Sequence, residues 1–346
     1  MSTDRLLSAQ AAPQEEQINW ALRPTDMSQY VGQADLLERL RIAVAAVKAR
    51  SEPLEHVLLH GPPGLGKTTL AHVLAQEMGS KICITSGPAL ARGTDLVAAL
   101  TRLQVGDILF IDEIHRLPVA VEEFVYPAME DFRIDVTLDS GLSARTVQVR
   151  VKPFTLIGAT TRAGLLSAPL RSRFGIVHHL QYYTEAELLT ILDRSATLLK
   201  VPGWDQAALK AIASRSRGTP RIANRLLRRV RDYAQVKADG RVAGKVVDMA
   251  LKLEGVDELG LDELDRGFLR TIGTTYSGGP VGLETIAATM NEDAGTLEDV
   301  VEPYLLQIGF LARTRRGRGL TRAACTHLGL TYRPIEEARQ DELFPG

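Results

Sequence analysis

The segment of the chain with the clearest chemistry is a glycine-rich run, Gly61–Thr68, which reads Gly-Pro-Pro-Gly-Leu-Gly-Lys-Thr. It matches the G-x4-G-K-[ST] pattern of a P-loop and lies between a strand-like and a helix-like segment. In such a loop, backbone N–H groups and the N-terminus of the helix surround a β-phosphate. Lys67 would reach the β- and γ-phosphate oxygens, and the Thr68 hydroxyl would bind Mg²⁺. The run therefore predicts a nucleoside triphosphate site.

Two carboxylates follow a later apolar run. Ile108–Ile111 ends directly in Asp112 and Glu113, and the end of a buried strand is where Mg²⁺ and an attacking water need such groups. Asp112 would bind the water shell of the metal, and Glu113 would polarise the water. With the glycine-rich run, the pair predicts hydrolysis of ATP rather than passive binding. His115 completes an Asp-Glu-Ile-His box, and the motors of one major helicase superfamily carry a similar box. The later segments of the chain argue against membership of that superfamily.

Further along the chain, two pairs of residues are placed to read a bound nucleotide. A strand-like run ends in Gly-Ala-Thr-Thr, which would bring one or both hydroxyls of Thr160 and Thr161 beside a γ-phosphate. Arg171 and Arg173 come just before the next strand-like run, at the edge of the domain. An arginine finger in that place would reach the nucleotide of a neighbouring subunit. A solvated surface pair is the alternative.

Arg221 breaks a local rule of helix formation. It occupies the second position of a helix opened by Pro220, where a cation opposes the helix dipole at a cost of roughly a few tenths of a kcal/mol. Such departures concentrate at functional sites. A phosphate near that helix start would reverse the penalty, so Arg221 is a candidate nucleotide sensor.

The elements that must position these groups follow from the apolar pattern between residues 55 and 183. Short apolar runs without internal alternation are typical of strands buried on both faces of a parallel sheet, with helices between them. The runs are residues 56–59, 82–84, 108–111, 154–157 and 175–177. We therefore predict an α/β fold with a parallel sheet. Residues 134–151 instead alternate apolar and polar positions around Asp139–Gly141, which predicts an inserted hairpin. Two edge strands of the main sheet are the alternative.

The remainder of the chain has a helical pattern followed by a basic ribbon. Thr184 and Glu187 form a capping box at the start of a helical region that extends to Glu254. After Val256 come short helices and then an Arg/Gly ribbon, residues 313–318. Helices followed by a basic ribbon predict a winged-helix module.

The composition suits such domains and admits a nucleic-acid partner. The chain has 346 residues, of which 45% are hydrophobic and 24% charged, an ordinary composition for two or three globular domains. Its net charge of −1 conceals acid-free blocks with six arginines in residues 303–334 and seven in residues 215–231. Cys83 and Cys325 form no CxxC or Cys/His cluster, which argues against a disulfide framework or a zinc site. Without a signal peptide or an apolar membrane span in the sequence, we expect a cytoplasmic protein.

Taken together, the motifs are similar to those of one family. Gly61–Thr69, Asp112-Glu113, the threonines of residues 158–164, Arg171–Phe174 and Gly218–Arg221 look like the Walker A, Walker B, sensor 1, arginine finger and sensor 2 of an AAA+ ATPase. Longer segments resemble the RuvB family of Holliday junction branch-migration ATPases: residues 19–24, 157–164, 217–225 and the winged-helix segment. The resemblance covers nearly the whole chain outside the N-terminal arm and the C-terminal tail.

The resemblance implies ATP and Mg²⁺ as cofactors and assigns roles to individual residues. Leu22 and Arg23 would line the adenine site. The full set of nucleotide-site residues would be Leu22, Arg23, Gly64, Lys67, Thr68, Thr69, Glu130, Asp131, Phe132, Arg173, Tyr183 and Arg221. The catalytic residues among these and the other motifs would be Lys67, Asp112, Glu113, Thr161, Arg173 and Arg221, with Thr68 and Asp112 at the metal. Arg173 is preferred to Arg171 as the finger that acts in trans because it immediately precedes a Phe-Gly turn. Arg313 and Arg318 match the DNA-contacting arginines of the family.

The same resemblance implies an architecture and an assembly. A large AAA+ domain, residues 1–183, would include an N-terminal arm (1–18) and the inserted hairpin (134–151). A helical lid (184–254) and a winged-helix DNA-binding head (257–346) would follow. The expected assembly is a homohexameric ring around the duplex DNA of a four-way junction. RuvA would load the ring through the hairpin, and RuvC would act as the resolvase.

Two other functions compete with a DNA motor. One is a nucleotide-dependent switch, similar to a clamp loader, in which ATP controls assembly but drives no sustained movement. The other is a protein-unfolding AAA+ machine. An unfoldase would need an aromatic-hydrophobic pore loop, which the sequence does not show between the Walker boxes, and the basic ribbon favours DNA over polypeptide.

Overall fold

The computed structural model describes residues 20–137 and 146–333. These residues form two compact units. The first consists of residues 20–199 together with Gly218–Arg221, and the second of Lys200–Arg217 together with residues 222–333. The predicted arm of residues 1–18, the turn at residues 139–141 and the tail after residue 333 lie outside the described ranges. Within those ranges, no helix is both long and apolar enough to span a bilayer.

A parallel sheet forms the centre of the first unit. The strands of this unit are β1 (Val57–His60), β2 (Ile82–Ser86), β3 (Ile108–Asp112), β4 (Arg133–Thr137), β5 (Thr146–Arg150), β6 (Thr155–Thr160) and β7 (Ile176–His179). Five of them pair in the order β2-β3-β6-β1-β7, and every neighbouring pair is parallel. All five apolar runs therefore lie in strands, and the predicted α/β fold with a parallel sheet is confirmed.

Helices connect these strands. They are α1 (Ala34–Arg50), α2 (Lys67–Met78), α3 (Gly93–Thr101), α4 (Val119–Glu130), α5 (Ala168–Ser172) and α6 (Glu185–Leu198), with single 3₁₀ turns at Gly87–Ala89, Ile114–Arg116 and Ala163–Leu165. Local chemistry sets their ends. The predicted capping box of Thr184 and Glu187 starts α6, and Gly79 ends α2 in the left-handed region at φ 66°.

Apolar side chains from the strands and helices share one core. Leu109 and Ile111 of β3 pack with Leu96 of α3, Val121 of α4 and Leu170 of α5, and each is at most 1% exposed. Burial of one such side chain contributes about 1.5–3 kcal/mol. This packing explains the apolar runs of the central strands β1, β3 and β6, which are buried on both faces. The outer strands β2 and β7 are less buried, and Ile84 of β2 is 50% exposed.

The alternating segment forms a hairpin outside the main sheet. β4 and β5 pair with each other, antiparallel, in a separate two-stranded sheet. The predicted hairpin is confirmed for its described residues, and the alternative of two edge strands in the main sheet is wrong. The alternation is the physical reason: Ile134 is fully buried against the core while Val147 is 42% exposed, so these strands bury one face only.

The second unit is mostly helical. Its helices are α7 (Gln206–Ser214), α8 (Pro220–Lys237, whose first two residues belong to the first unit), α9 (Gly244–Leu253), α10 (Glu263–Arg270), α11 (Leu283–Met290), α12 (Ala294–Thr296), α13 (Glu302–Gln307) and α14 (Arg322–Leu328). π turns at Thr271–Thr275 and Leu297–Val301 extend α10 and join α12 to α13. Pro220 opens α8, as the sequence predicts.

A short antiparallel ribbon completes this unit. β8 (Leu311–Thr314) and β9 (Gly317–Leu320) pair across a turn at Arg315 and Arg316. Buried side chains from α10, α11, α13 and β9 pack beneath the ribbon, among them Phe268, Ile286, Leu305 and Leu320. The predicted winged-helix arrangement of helices and basic ribbon is confirmed.

A buried ionic cluster joins the start of α10 to the segment before α8. Arg217 is 4% exposed and binds the carboxylate of Asp265, which is fully buried. Its Nε donates to the carbonyl oxygen of Gly260 at 2.8 Å, and its guanidinium lies 5.0 Å from the ring centroid of Tyr304. Because an unpaired charge in this place would be strongly destabilising, the cluster fixes both segments together.

Candidate functional site

The glycine-rich loop occupies the carboxyl end of β1. Gly61, Gly64 and Gly66 have φ values of 135°, 81° and 96°, a region that side chains rarely tolerate. α2 begins at Lys67 with no side-chain cap on its first turn. A helix N-terminus presents N–H groups and positive potential, so this loop fits the phosphates of a nucleotide.

Close packing around the loop also requires glycine. A Cβ atom on Gly64 would lie 2.7 Å from Cγ2 of Thr219, and one on Gly66 would lie 2.7 Å from the hydroxyl of Tyr30. Thr219 belongs to the segment that carries Arg221, so the structure brings this predicted sensor to the P-loop. Tyr30 is a contributor that the sequence reasoning missed, because no motif includes it.

Lys67 is an unusually buried cation. It is 8% exposed, and its Nζ donates to the carbonyl oxygens of Gly61 at 2.7 Å and Pro62 at 2.9 Å. The pKa of Lys67 is lowered to about 8, mainly by burial and to a smaller extent by Arg221, whereas Asp112 and Glu113 act in the opposite direction. The predicted phosphate ligand, both Walker carboxylates and the predicted sensor therefore interact electrostatically at one site.

The two carboxylates lie where β3 ends. The backbone N–H of Glu113 donates to Oδ1 of Asp112 at 3.0 Å. Glu113 itself adopts φ 48°, in the left-handed region that non-glycine residues rarely enter. Such conformations cost about 1–3 kcal/mol and persist where the surrounding structure enforces them, often at functional sites.

The two threonines after β6 face different partners. Thr161 donates a hydrogen bond from Oγ1 to Oε2 of Glu113 at 3.3 Å, so the structure brings this predicted sensor to the predicted catalytic glutamate. Thr160 is fully buried, and its Oγ1 lies 2.8 Å from Nδ1 of His115. Of the two hydroxyls that the sequence places near a γ-phosphate, that of Thr161 contacts a Walker carboxylate directly, and that of Thr160 contacts His115.

The remaining predicted phosphate and adenine residues surround α2. Thr68 and Thr69 lie in its first turn, half-buried. Tyr183 donates from its hydroxyl to the carbonyl oxygen of Leu65 at 3.2 Å, and burial raises the pKa of Tyr183 to about 12. Its hydroxyl therefore stays protonated as a hydrogen-bond donor.

The predicted adenine residues reach the same helix through Trp20. The guanidinium of Arg23 lies 4.3 Å from the Trp20 ring centroid, and that ring packs edge-on at 4.3 Å against His72 of α2. Leu22 is buried, with 3% exposed. Its carbonyl oxygen accepts a hydrogen bond from Arg194 of α6 at 2.9 Å.

Arg173 and residues 130–132 lie at the other end of the sheet. Nε of Arg173 is 3.2 Å from Oε1 of Glu130. Arg173 and Phe132 line a cavity of about 280 Å³ together with His56, Phe154 and Gly175, residues that directly precede β1, β6 and β7. The P-loop follows the opposite end of β1, so the length of a strand separates the two places. In the single chain, Glu130 and Phe132 thus lie with Arg173 and not with Lys67.

The two predicted DNA-binding arginines occupy the ribbon and carry acidic partners. Arg313 lies 3.2 Å from Glu298 in an exposed pair. Arg318 lies 2.5 Å from Glu302, whose side chain is 2% exposed. The carboxylates come from Leu297–Val301 and α13, outside the acid-free block, so the sequence pattern missed them.

Comparison with known proteins places every part of this architecture in one family. Residues 22–180 match the model described as the Holliday junction DNA helicase RuvB P-loop domain. Residues 183–257 match the RuvB AAA lid domain, and residues 258–329 match the RuvB C-terminal winged helix domain.

Individual proteins are similar to this chain over most of its length. A Holliday junction branch migration complex subunit RuvB from Desulfosudis oleivorans is 58% identical over 314 residues, 91% of either chain. The solved structure of the Thermotoga maritima RuvB Holliday junction branch migration motor is 51% identical, with a TM-score of 0.82 over 90% of this chain and 100% of that one. A point variant of the same Thermotoga protein gives a TM-score of 0.84 at 50% identity, over 90% and 99% of the two chains. With its P-loop, lid and winged-helix segments all matched, the chain belongs to the RuvB family of AAA+ P-loop ATPases.

Proposed function

We propose that this chain is an ATP-driven motor that translocates duplex DNA and moves Holliday junctions in recombination and repair. It would act as a homohexameric ring with RuvA and RuvC. The observation that carries the proposal is the 58% identity, over 91% of the chain, to a protein named as a branch-migration subunit. In this proposal residues 1–183 form the ATPase domain, 184–254 the lid and 257–346 the DNA-binding head.

The nucleotide would bind at the P-loop. Gly64, Lys67, Thr68 and Thr69 hold its phosphates, and Leu22, Arg23 and Tyr183 surround its base and sugar. The oxygens of Thr68 and Asp112 suit Mg²⁺, which prefers hard oxygen ligands and supplies neutralisation of phosphate charge when bound. The close approach of Lys67, Arg221 and both Walker carboxylates supports this assignment.

Hydrolysis would use Glu113 to activate water and Thr161 and Arg221 to register the γ-phosphate. Arg173 would complete the site of a neighbouring subunit, since its own P-loop lies a strand length away. Glu130, Asp131 and Phe132 would then contact the same neighbouring nucleotide from beside Arg173. The ion pair between Arg173 and Glu130 supports a shared role for this surface.

DNA would lie against the basic ribbon, with Arg313 and Arg318 contacting phosphates. Phosphate contacts carry no sequence information, which suits a motor that must pass over any sequence. The hairpin of residues 134–151 would dock on RuvA. A switch similar to a clamp loader is less favoured, because the relatives are named as branch-migration proteins.

Dissociation of a synthetic four-way junction tests the proposal. The wild-type chain with ATP, Mg²⁺ and RuvA should convert the junction into duplex products. Glu113→Gln should bind ATP with unchanged affinity but lose turnover and product formation, because the amide cannot act as a base. Gel separation of the products and a phosphate-release assay measure both steps. Junction binding without any product, while ATP is still hydrolysed, would favour the switch instead.

Mixing two inactive variants tests the placement of Arg173. Lys67→Ala removes the nucleotide site but keeps the finger, and Arg173→Ala does the reverse. Each variant alone should lose about 10³-fold or more in ATPase rate. In an equal mixture that assembles at random, about a quarter of the interfaces combine an intact P-loop with an intact Arg173, and these interfaces should hydrolyse ATP. Native mass spectrometry would verify that mixed rings form. Mixed rings without recovery would show that Arg173 acts in its own subunit.

Nucleotide binding should take up protons at alkaline pH. Lys67 is partly deprotonated near its pKa of about 8, and its cation is the form that binds phosphate, so binding raises the pKa again. Uptake through this group should be about half a proton at pH 8 and about a tenth at pH 7. Calorimetry of Mg–ADP binding in buffers of different ionisation enthalpy measures it. Equal uptake at both pH values would exclude Lys67 as the titrating group.

The salt dependence of DNA affinity tests the ribbon. Arg313→Gln should reduce the slope of log affinity against log salt by about one, because one phosphate contact is lost. Fluorescence anisotropy with a labelled duplex between low and moderate salt measures the slope. Arg241→Gln, at an exposed arginine outside the ribbon, should leave it unchanged. Equal slopes for both variants would place the DNA surface elsewhere.

A further inference from the structure

His115 lies beside the predicted catalytic glutamate but has no role in the site described so far. It belongs to the 3₁₀ turn Ile114–Arg116, directly after β3 and the Walker carboxylates. Its side chain is 8% exposed, and Nδ1 lies 3.2 Å from Oε2 of Glu113. The same nitrogen lies 2.8 Å from Oγ1 of Thr160. One ring atom thus bridges the end of β3 and the end of β6.

The surroundings fix both partners of this nitrogen. Thr160 is fully buried, and its Oγ1 accepts a hydrogen bond from the backbone N–H of Arg162 at 3.0 Å. Ile114, the residue before His115, packs so closely on β6 that a Cβ atom on Gly158 would lie 3.0 Å from its Cδ1. The turn therefore has little freedom to move away from β6, and the imidazole stays between the two strand ends.

Proton positions decide what the bridge does. An ionised carboxylate only accepts hydrogen bonds, whereas a neutral imidazole nitrogen either donates or accepts. With a proton on Nδ1, His115 shares that proton between Oγ1 of Thr160 at 2.8 Å and Oε2 of Glu113 at 3.2 Å, and the shared donation holds the carboxylate oxygen. With the proton on Nε2 alone, the single lone pair of Nδ1 accepts from the hydroxyl of Thr160, and Nδ1 offers the Glu113 carboxylate no proton.

We propose that His115 is a positioning residue for ATP hydrolysis, whose Nδ1–H orients the carboxylate of Glu113 toward the attacking water. The inference rests on the proposed role of Glu113 as the activating base. Thr161 donates to the same oxygen, Oε2, at 3.3 Å. His115 and Thr161 together therefore fix one carboxylate oxygen, and the direction of the second follows from the first. Orientation of a catalytic base by a neighbouring group is the logic of a catalytic triad.

Three substitutions separate this role from simple packing. Asn carries an amide N–H close to the position of Nδ1, Gln carries one close to Nε2, and Ala carries neither. His115→Asn should retain most of kcat, whereas His115→Gln and His115→Ala should lose about tenfold or more. The KM for ATP should change little in all three, because Nδ1 of His115 contacts Glu113 and Thr160, neither of which binds the nucleotide in the proposed site.

The measurement is steady-state ATP hydrolysis by the full chain without junction DNA, together with binding of a fluorescent nucleotide. Thermal unfolding would show that each variant is folded. In a Glu113→Gln background, His115→Ala should have no further effect on the residual rate, since the group that it orients is gone. A packing role would instead reduce the rate equally in both backgrounds.

Several outcomes overturn the inference. If folded His115→Asn hydrolysed ATP as slowly as His115→Ala, a donor at the position of Nδ1 would not be what matters. If His115→Ala hydrolysed ATP at the wild-type rate, His115 would not position Glu113. Neither outcome depends on branch migration, which the junction assay tests separately. If Glu113→Gln itself hydrolysed ATP normally, the proposed role of Glu113 would fall first, and that result is visible before any His115 variant is examined.

Discussion

The common direction of the five sheet strands governs everything else in the ATPase unit. Because all strands are parallel, their carboxyl ends share one edge and their amino ends share the other. The P-loop, Asp112-Glu113 and Thr161 each follow a carboxyl end, while Arg173 precedes β7 and sits beside the amino ends. At about 3.3 Å per residue, strands of four to six residues keep the two sets more than 10 Å apart. Under the role proposed for Arg173, a single chain would therefore carry both halves of a site without being able to join them.

At the carboxyl edge of the sheet, charged side chains lie close enough to interact strongly with one another. Lys67 and Arg221 repel one another, and the carboxylates of Asp112 and Glu113 offset part of that repulsion. Buried cations remain charged only where nearby groups compensate for lost water. A polyphosphate would add further negative charge beside these two cations. The preference of the site for such an anion is thus built from the repulsion between its own cations as well as from the glycine loop.

The sequence was sufficient wherever local pattern determined structure. The five apolar runs predicted the strands, most clearly β3 and β6, which are buried on both faces, and the capping box at Thr184 predicted the start of α6. Contacts between residues far apart along the chain could not be predicted from the sequence. The acid-free block around Arg318 suggested uncompensated charge, yet Glu302 of α13 pairs with that residue. Residues 130–132 followed a family motif, which gives a role but not the sheet edge on which the role is performed. Tyr30 belonged to no motif, and only the fold brought it to Gly66.

The hydrogen bonds from Lys67 to two backbone carbonyl oxygens have a consequence for the speed of turnover. Its ammonium already donates to Gly61 and Pro62, so an arriving phosphate exchanges ligands with the backbone instead of meeting a bare charge. A hydrogen bond to a charged group contributes on the order of 1.5–3 kcal/mol, and in such an exchange the bonds lost offset much of what the new bonds gain. The reverse exchange is correspondingly easy. When a nucleotide leaves, the carbonyl oxygens of Gly61 and Pro62 would again accept hydrogen bonds from the ammonium group. These bonds would preserve the conformation of the loop until the next nucleotide binds.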